Sequence, residues 1–322
     1  MNPTLTAEVT RGSLIESRHA VHVVIASNDG LEVWGDPARL TFPRSAAKLL
    51  QALPMVESGA AARLGLTSTQ LALACASHGG EAIHAGHVGR WLTDLGLDEH
   101  CLECGQHWPM HEPAGREMAS TGVALSPLHN NCSGKHAGFI SFAKDQGWAI
   151  NDYIQPDHPV QSAIRATTEA LLEAPMGPMG IDGCGIPTHA NRLDDLAKGF
   201  FRLTQAKSGA RHDAVQRLVS AHQTDAFMIG GTGRLCTEVN ELLRDGMVKF
   251  GAEGVYCATF PKAEIGIAIK AEDGTVRAAE VALIWVLKRL GLLDENALPH
   301  RYPEPLKSRA GVRVGEIRIS AA

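Results

Sequence analysis

A chain of 322 residues with a formal charge of −5, acidic and basic residues mixed along it, carries no nucleic-acid footprint and no membrane-surface patch, so small-molecule chemistry is the expectation. It has no run of about 18 apolar residues to span a bilayer and opens without a signal-peptide pattern, which points to a cytoplasmic protein of one large domain or two intimate ones. Seven cysteines spread from Cys75 to Cys257 are an odd number, so reduced thiols or metal ligation are expected rather than a disulfide scaffold.

Residues 20–35 place β-branched and apolar residues on either side of Asn28-Asp29-Gly30, a hairpin signature. Pro43 then opens a helix beginning near Arg44, because its fixed φ suits a first turn and its missing N–H is not needed there. Leu49, Leu50, Leu53 and Val56 recur at helical spacing, which makes the helix buried, and Pro54 is expected to end or kink it. Thr67 to Gln70 caps a short apolar helix over 71–76, which delivers Ser77-His78-Gly79-Gly80-Glu81 to a loop. A helix carrying His84, His87, Val88, Trp91 and Leu92 runs up to Gly96. Residues 100–136 read as loop.

Further helices are expected from Pro159 through Leu171, at 192–205 and at 212–222. Ile181 to Pro187 is a tight turn, and Gly230-Gly231-Thr232-Gly233 is a turn with no strand pattern before it. Strands are expected at 255–259 and 264–271, then a short strand to Arg277, an apolar helix over 279–293, and an edge strand at 312–319. Strands at both ends with helices between them predict an α+β fold: one antiparallel sheet built from the N- and C-terminal strands, flanked by helices, with a helical insert. On this plan a single catalytic domain has a sheet subregion at about 1–40 and 245–322 and a helical subregion at about 41–244.

Ser45 and Lys48 are three apart on the first buried helix, which puts both side chains on one face, one turn apart. A serine hydroxyl needs a base to become a nucleophile, and burial among apolar neighbours lowers a lysine's pKa toward that role. The same spacing recurs in Ser141-Phe142-Ala143-Lys144, so the pair needs partners. Ser77 in its glycine-flanked loop and the stretch Lys249-Phe250-Gly251 echo the second serine and the Lys-Thr-Gly strand of penicillin-recognising enzymes. On spacing alone the strongest metal signal is Cys101, Cys104, His107 and His111, while Cys132 and Cys184 read as small buried residues.

Pro43-Arg44-Ser45-Ala46-Ala47-Lys48, Ala76-Ser77-His78-Gly79-Gly80-Glu81, Asn131-Cys132-Ser133-Gly134-Lys135-His136-Ala137-Gly138, Asp182-Gly183-Cys184-Gly185 and Gly251-Ala252-Glu253-Gly254-Val255 occur in an order that resembles the Rhizobium etli-type asparaginases, the asparaginase II-like family. The resemblance spans roughly residues 10–295. It implies a fold similar to serine β-lactamases and glutaminases, a homodimer, and hydrolysis of L-asparagine to L-aspartate and ammonia. Ser45 becomes the nucleophile and Lys48 its base, with Ser77 and Lys249 as a second Ser-Lys pair, Lys262 being the other candidate for that lysine. Arg44, His78, Gly79, Glu81 and Asp182 become substrate-binding residues. Zinc is implied on Cys132, Lys135 and Cys184, which displaces the set around Cys101; a ligating lysine must be neutral, so such a site loses metal as pH falls. The alternatives are a glutaminase or β-lactamase-like hydrolase on the same scaffold, or a non-catalytic zinc module built on Cys101, Cys104, His107 and His111.

Overall fold

The structure is a computed structural model that describes residues 2–320. The chain opens with β1 (Leu5–Arg11), β2 (Leu14–Ser27) and β3 (Gly30–Trp34), and the β2–β3 hairpin turns over Asn28 and Asp29 with Ser27 paired to Gly30. After β4 (Leu40–Thr41), a 3-10 turn over Arg44–Ala47 runs without a break into α1 (Lys48–Glu57). Pro54 neither ends nor breaks α1. It sits in the last turn, where it removes one N–H while its own carbonyl still accepts from Ser58 N at 3.0 Å.

Next come α2 (Ala60–Arg63), α3 (Ser68–Ala74) and α4 (Ala82–Asp94); Thr67 and Gln70 form a reciprocal capping box on α3. The expected loop over 100–136 contains α5 (Glu112–Thr121), started by Pro113 and closed by Gly122 at φ 71°. Met118 alone is buried on it, so no apolar period marks it. Then follow α6 (Ser133–Asp145), α7 (Pro159–Leu172), β5 (Met179–Ile181), β6 (Pro187–His189), β7 (Asn191–Arg192), α8 (Leu193–Arg202), α9 (Gly209–Thr224), α10 (Ala226–Gly230) and α11 (Leu235–Leu242).

The chain ends with β8 (Met247–Gly251), β9 (Val255–Phe260), β10 (Ile265–Ala271), α12 (Val276–Arg289), β11 (Glu304–Lys307) and β12 (Arg313–Ser320). The short strand expected to reach Arg277 is absent: Asp273 takes the N–H of Thr275, and α12 starts at the next residue. Nor is β12 an edge strand. It lies between β1 and β11, and the outer position falls to Pro305-containing β11, where a missing N–H is tolerated. Among the described residues no helix is long and apolar enough to cross a membrane.

These elements form two compact units. The sheet unit takes the residues up to Ala46, Ala190–Gln205 and those from Leu242 onward. Its eight-stranded antiparallel sheet runs β11-β12-β1-β2-β10-β9-β8, with β3 also paired to β2. N-terminal and C-terminal strands are thus interleaved, as expected of an α+β chain of this pattern. Segment 190–205 belongs here rather than with the helices, because α8 packs on β10, β2 and β9. Gly266 permits that packing: a Cβ there would run into Phe201 N and Ala197 O of α8.

The helical unit comprises Ala47–His189 and Ala206–Glu241. At its centre α6 is buried at every position from Ser133 to Ala143 and packs on α3, α1 and α4. A helix buried all round shows no amphipathic stripe, so no apolar period marks this helix in the sequence. Gly134 sets the closest approach, since a Cβ on it would lie 2.5 Å from Leu73 O.

Candidate active site

In the helical unit, the tight packing of α6 on α3 brings three loop junctions together. Ser77 lies three residues beyond α3, with its N–H on Ile229 O at 2.9 Å, and the next N–H, of His78, reaches Asn131 O at 3.2 Å. Cys132 precedes α6, its N–H held by Asn130 Oδ1 at 2.8 Å. Lys48 opens α1 and is 1% exposed. Its Nζ donates to Ala76 O and lies 2.8 Å from Ser77 Oγ and 3.2 Å from Cys132 Sγ. One buried amine therefore touches both a hydroxyl and a thiol.

Lys135, in the first turn of α6, places Nζ 2.9 Å from Cys184 Sγ. Cys184 occupies the β5–β6 turn, which closes by Gly185 N on Asp182 O at 2.8 Å with Gly185 at φ 88°. The two cysteines share a hydrogen bond, which lowers the Cys132 thiol well below its usual range against the effect of burial; Lys48 and Lys135 lower it further. The same bond and burial push the Cys184 thiol up. Burial alone would lower Lys135, but the facing sulfurs of Cys184 and Cys132 outweigh it and hold the ammonium. Cys184 thus meets both the Cys132 sulfur and the Lys135 amine. Two soft sulfurs and one amine nitrogen meeting in this way fit zinc, with room for a further ligand.

In the sheet unit, Ser45 is half-buried on the 3-10 turn, and the Ser45-x-x-Lys48 spacing lies on continuous helical backbone. Arg44 begins that turn at φ 49°, in the left-handed region. The end of β8 is pressed on the turn: a Cβ on Gly251 would collide with Pro43 O and lie 3.0 Å from Ala46 N. Two residues earlier on the same strand, Lys249 is wholly buried, with Nζ on Phe250 O at 2.9 Å and 4.2 Å from the Phe250 ring centre. Lys262 is exposed in the β9–β10 turn, its N–H on Asp245.

The remaining candidates in the helical unit are placed as follows. His78 is wholly buried and both its ring nitrogens are engaged: Nδ1 accepts from Gly80 N at 3.1 Å, so Nε2 carries the proton and donates to Ser133 Oγ at 3.0 Å. Burial holds its pKa well below the ordinary value, with His84 adding to the effect. His78 thus ties the Ser77 loop to α6. The Glu81 carboxylate accepts from Thr232 N at 3.0 Å and Thr232 Oγ at 2.7 Å, a partner 151 positions away that sequence reasoning treated as a plain turn. Gly79 O accepts from His111 N at 2.9 Å, and Asp182 Oδ1 accepts from Gly183 N at 2.7 Å.

Cys101, Cys104, His107 and His111 do not come together as ligands. Among the described residues no group of three or more Cys, His, Asp or Glu side chains is set to hold a metal. Cys101 Sγ bonds Asp98 O at 2.9 Å, and His107 uses Trp108 O and Asn131. Burial raises Cys101 to about 11 and Cys104 to about 12, which keeps both as thiols and so poor ligands.

The chain belongs to the L-asparaginase II family, whose model matches residues 7–319. No curated protein matches it. Among solved structures it is similar to Mglu in its native form in 4.3 M NaCl (12% identity, TM-score 0.48, covering 87% of this chain). It is also similar to a β-lactamase from Mycobacterium bovis (16%, TM-score 0.42, 85% of this chain and 95% of that one) and to a Bacillus glutaminase (11%, TM-score 0.41, 85% and 92%). The chain spans 63% of the length of the Mglu chain.

Proposed function

We propose that this amidohydrolase converts L-asparagine to L-aspartate and ammonia by acyl transfer to serine. What supports a serine activated by an amine is the buried contact of Lys48 Nζ with Ser77 Oγ at 2.8 Å, and what supports Ser45 as that serine is its place three residues before Lys48 in a chain of the L-asparaginase II family. Lys48 takes the Ser45 proton and the freed oxygen attacks the side-chain amide carbon. Backbone N–H groups at the helical turn stabilise the oxyanion. The C–N bond breaks, the proton passes to the leaving nitrogen, and ammonia departs. Water then cleaves the acyl ester and releases aspartate, with Ser77 and Lys249 relaying protons. The Lys48–Ser77 contact favours a second reading, in which Ser77 itself attacks with Lys48 as its base.

Arg44 and Asp182 offer opposite charges to an amino acid's carboxylate and ammonium. Zinc is assigned to Cys132, Lys135 and Cys184, and Lys135 must shed its proton to ligate. Bound there, zinc would orient the substrate or polarise its carbonyl. A cytoplasmic homodimer completes the proposal.

Glutaminase activity is the nearest competitor, since one methylene in a pocket is worth only about 1–3 kcal/mol. The test is ammonia release from L-asparagine and L-glutamine by the wild type, Ser45→Ala and Ser77→Ala. Fast release from asparagine alone, abolished in Ser45→Ala and merely slowed in Ser77→Ala, is the expected result. Abolition in Ser77→Ala with activity left in Ser45→Ala moves the nucleophile to Ser77. No release by folded wild type from either amide refutes the reading.

A further inference from the structure

One strip of chain, residues 227–232, meets the loop that carries Ser77 at both of the loop's ends. At its start Ser77 N donates to Ile229 O at 2.9 Å. At its end the Glu81 carboxylate takes Thr232 N at 3.0 Å and Thr232 Oγ at 2.7 Å, one on each oxygen. Just beyond the loop, in the first turn of α4, His84 donates from Nε2 to Phe227 O at 3.1 Å. The rings add a stacked column: His78 lies on His84 with centroids 4.8 Å apart, and His84 on Phe227 at 5.2 Å.

The contact at Ser77 bears directly on the site. The peptide that joins Ala76 to Ser77 has its carbonyl on Lys48 Nζ and its N–H on Ile229 O. A trans peptide is planar and its two polar groups point in opposite directions, so the Lys48 amine and the Ile229 carbonyl fix one plane between them. Both residues of that peptide are at most 1% exposed, so turning it would strip a buried N–H and a buried carbonyl of their partners. Ser77 Oγ hangs from this plane, 2.8 Å from the same amine. The strip thus sets the direction in which the serine is presented.

The strip is itself held from both sides. Ahead of it, the Asp225 carboxylate takes Thr69 Oγ at 2.8 Å, which ties it to α3, the helix that leads into Ser77. Ile229 and Gly230 are buried, Gly231 N donates to Phe227 O at 2.9 Å, and Thr237 Oγ of α11 donates to Gly231 O at 2.8 Å. Gly231 stands at φ 88°, and a Cβ on it would collide with Glu81 Oε1, so the turn closes on the carboxylate only because that atom is missing.

We infer that residues 227–232 clamp the loop and position Ser77 against Lys48, with Thr232 a positioning residue that acts through Glu81. Its consequence for turnover rests on the amidase reading. In this role Glu81 acts on the loop rather than on the substrate.

The test compares Thr232→Val, which loses the hydroxyl but keeps the backbone N–H bond, with Thr232→Ser, which keeps both. Thr232 is exposed, so neither variant opens a cavity. Two readouts are taken: kcat and KM for ammonia release from L-asparagine, and amide hydrogen exchange resolved by segment. In Thr232→Val kcat is expected to fall about 10-fold with KM little changed. Exchange is expected to quicken in segments 76–84 and 227–232 but not elsewhere, and Thr232→Ser should restore both. A wild-type kcat in Thr232→Val, a loss that Thr232→Ser does not restore, or a loss with exchange of 76–84 unchanged overturns the inference. Should the wild type release no ammonia from L-asparagine, the amidase reading fails by itself. The exchange arm then decides the clamp alone: quickened exchange of 76–84 in Thr232→Val supports it, and unchanged exchange overturns it.

Discussion

The two units differ in where most of their polar side chains find partners. In the sheet unit carboxylates meet imidazole and guanidinium partners: His19 lies 2.6 Å from Asp273, His22 2.6 Å from Glu272, and Arg289 holds Glu32 at 2.5 Å. In the helical unit Lys48, Ser77, His78, His84, Lys135 and His136 are all at most 1% exposed, and their neighbours are hydroxyls, thiols, carbonyls and one another. Surface pairs add little to stability and can be spread anywhere. Burying this many polar groups costs stability, and such clusters with shifted pKa values concentrate where chemistry is done.

The comparison is broken most sharply at Lys48. Lys48→Met removes the amine but keeps an apolar stem in a buried position, so ammonia release is expected to fall by about 10²–10⁴-fold while the melting temperature is kept or raised. Parallel activity assays and thermal melts check this; equal loss of both would make Lys48 merely structural.

Next in size are two glycine substitutions, one per unit. Gly134→Ala and Gly266→Ala each drive a Cβ into neighbouring backbone, and each is expected to cost about 1–3 kcal/mol in urea unfolding. Only Gly134→Ala, lying between Cys132 and Lys135, is expected also to weaken retention of the proposed zinc, measured by metal content after dialysis.

Acid sensitivity separates the units further. His78, His84 and His136 have pKa values lowered chiefly by burial. Their neutral forms therefore contribute stability above the unfolded value of about 6.5, and that contribution is lost as pH falls below it. Asp273 behaves differently. Its pKa is lowered to about 2, burial being outweighed by the Thr275 N–H and His19, so its contribution is full above about pH 4 and disappears only as pH falls toward 2. Urea titrations across pH should show wild type losing stability from about pH 6.5 downward, with Asp273→Asn converging on wild type only at the acid extreme.

The smallest effect is expected at the surface. Glu32→Gln weakens the pair with Arg289, whose guanidinium also lies 5.0 Å from the Trp34 ring centre, and should change stability by no more than about 1 kcal/mol, shrinking with added salt.

Local signals explain which elements were legible. The Asn28-Asp29 turn and the Thr67–Gln70 box depend on residues within a few positions of each other, and both formed where the sequence placed them. Alternating strands at the two chain ends sufficed for the antiparallel α+β sheet. The two missed helices share one cause, a missing period: α6 is buried all round and α5 nearly nowhere, so neither carries the stripe that marks an amphipathic helix.

By itself, then, the sequence determined the local elements, the Ser45-x-x-Lys48 spacing on continuous helical backbone and, through the ordered motifs, the family. Tertiary structure alone decided that Lys48 touches Ser77 and Cys132, that Cys184 meets Lys135 across 49 positions, that His78 is consumed in bracing its loop, and that Glu81 reaches a glycine turn 151 positions away. The physical reason is range. Capping, turn and spacing rules act over a few residues of backbone, whereas these contacts join residues far apart in the chain and depend on tertiary packing, of which the close approach of α6 to α3 at Gly134 is one part.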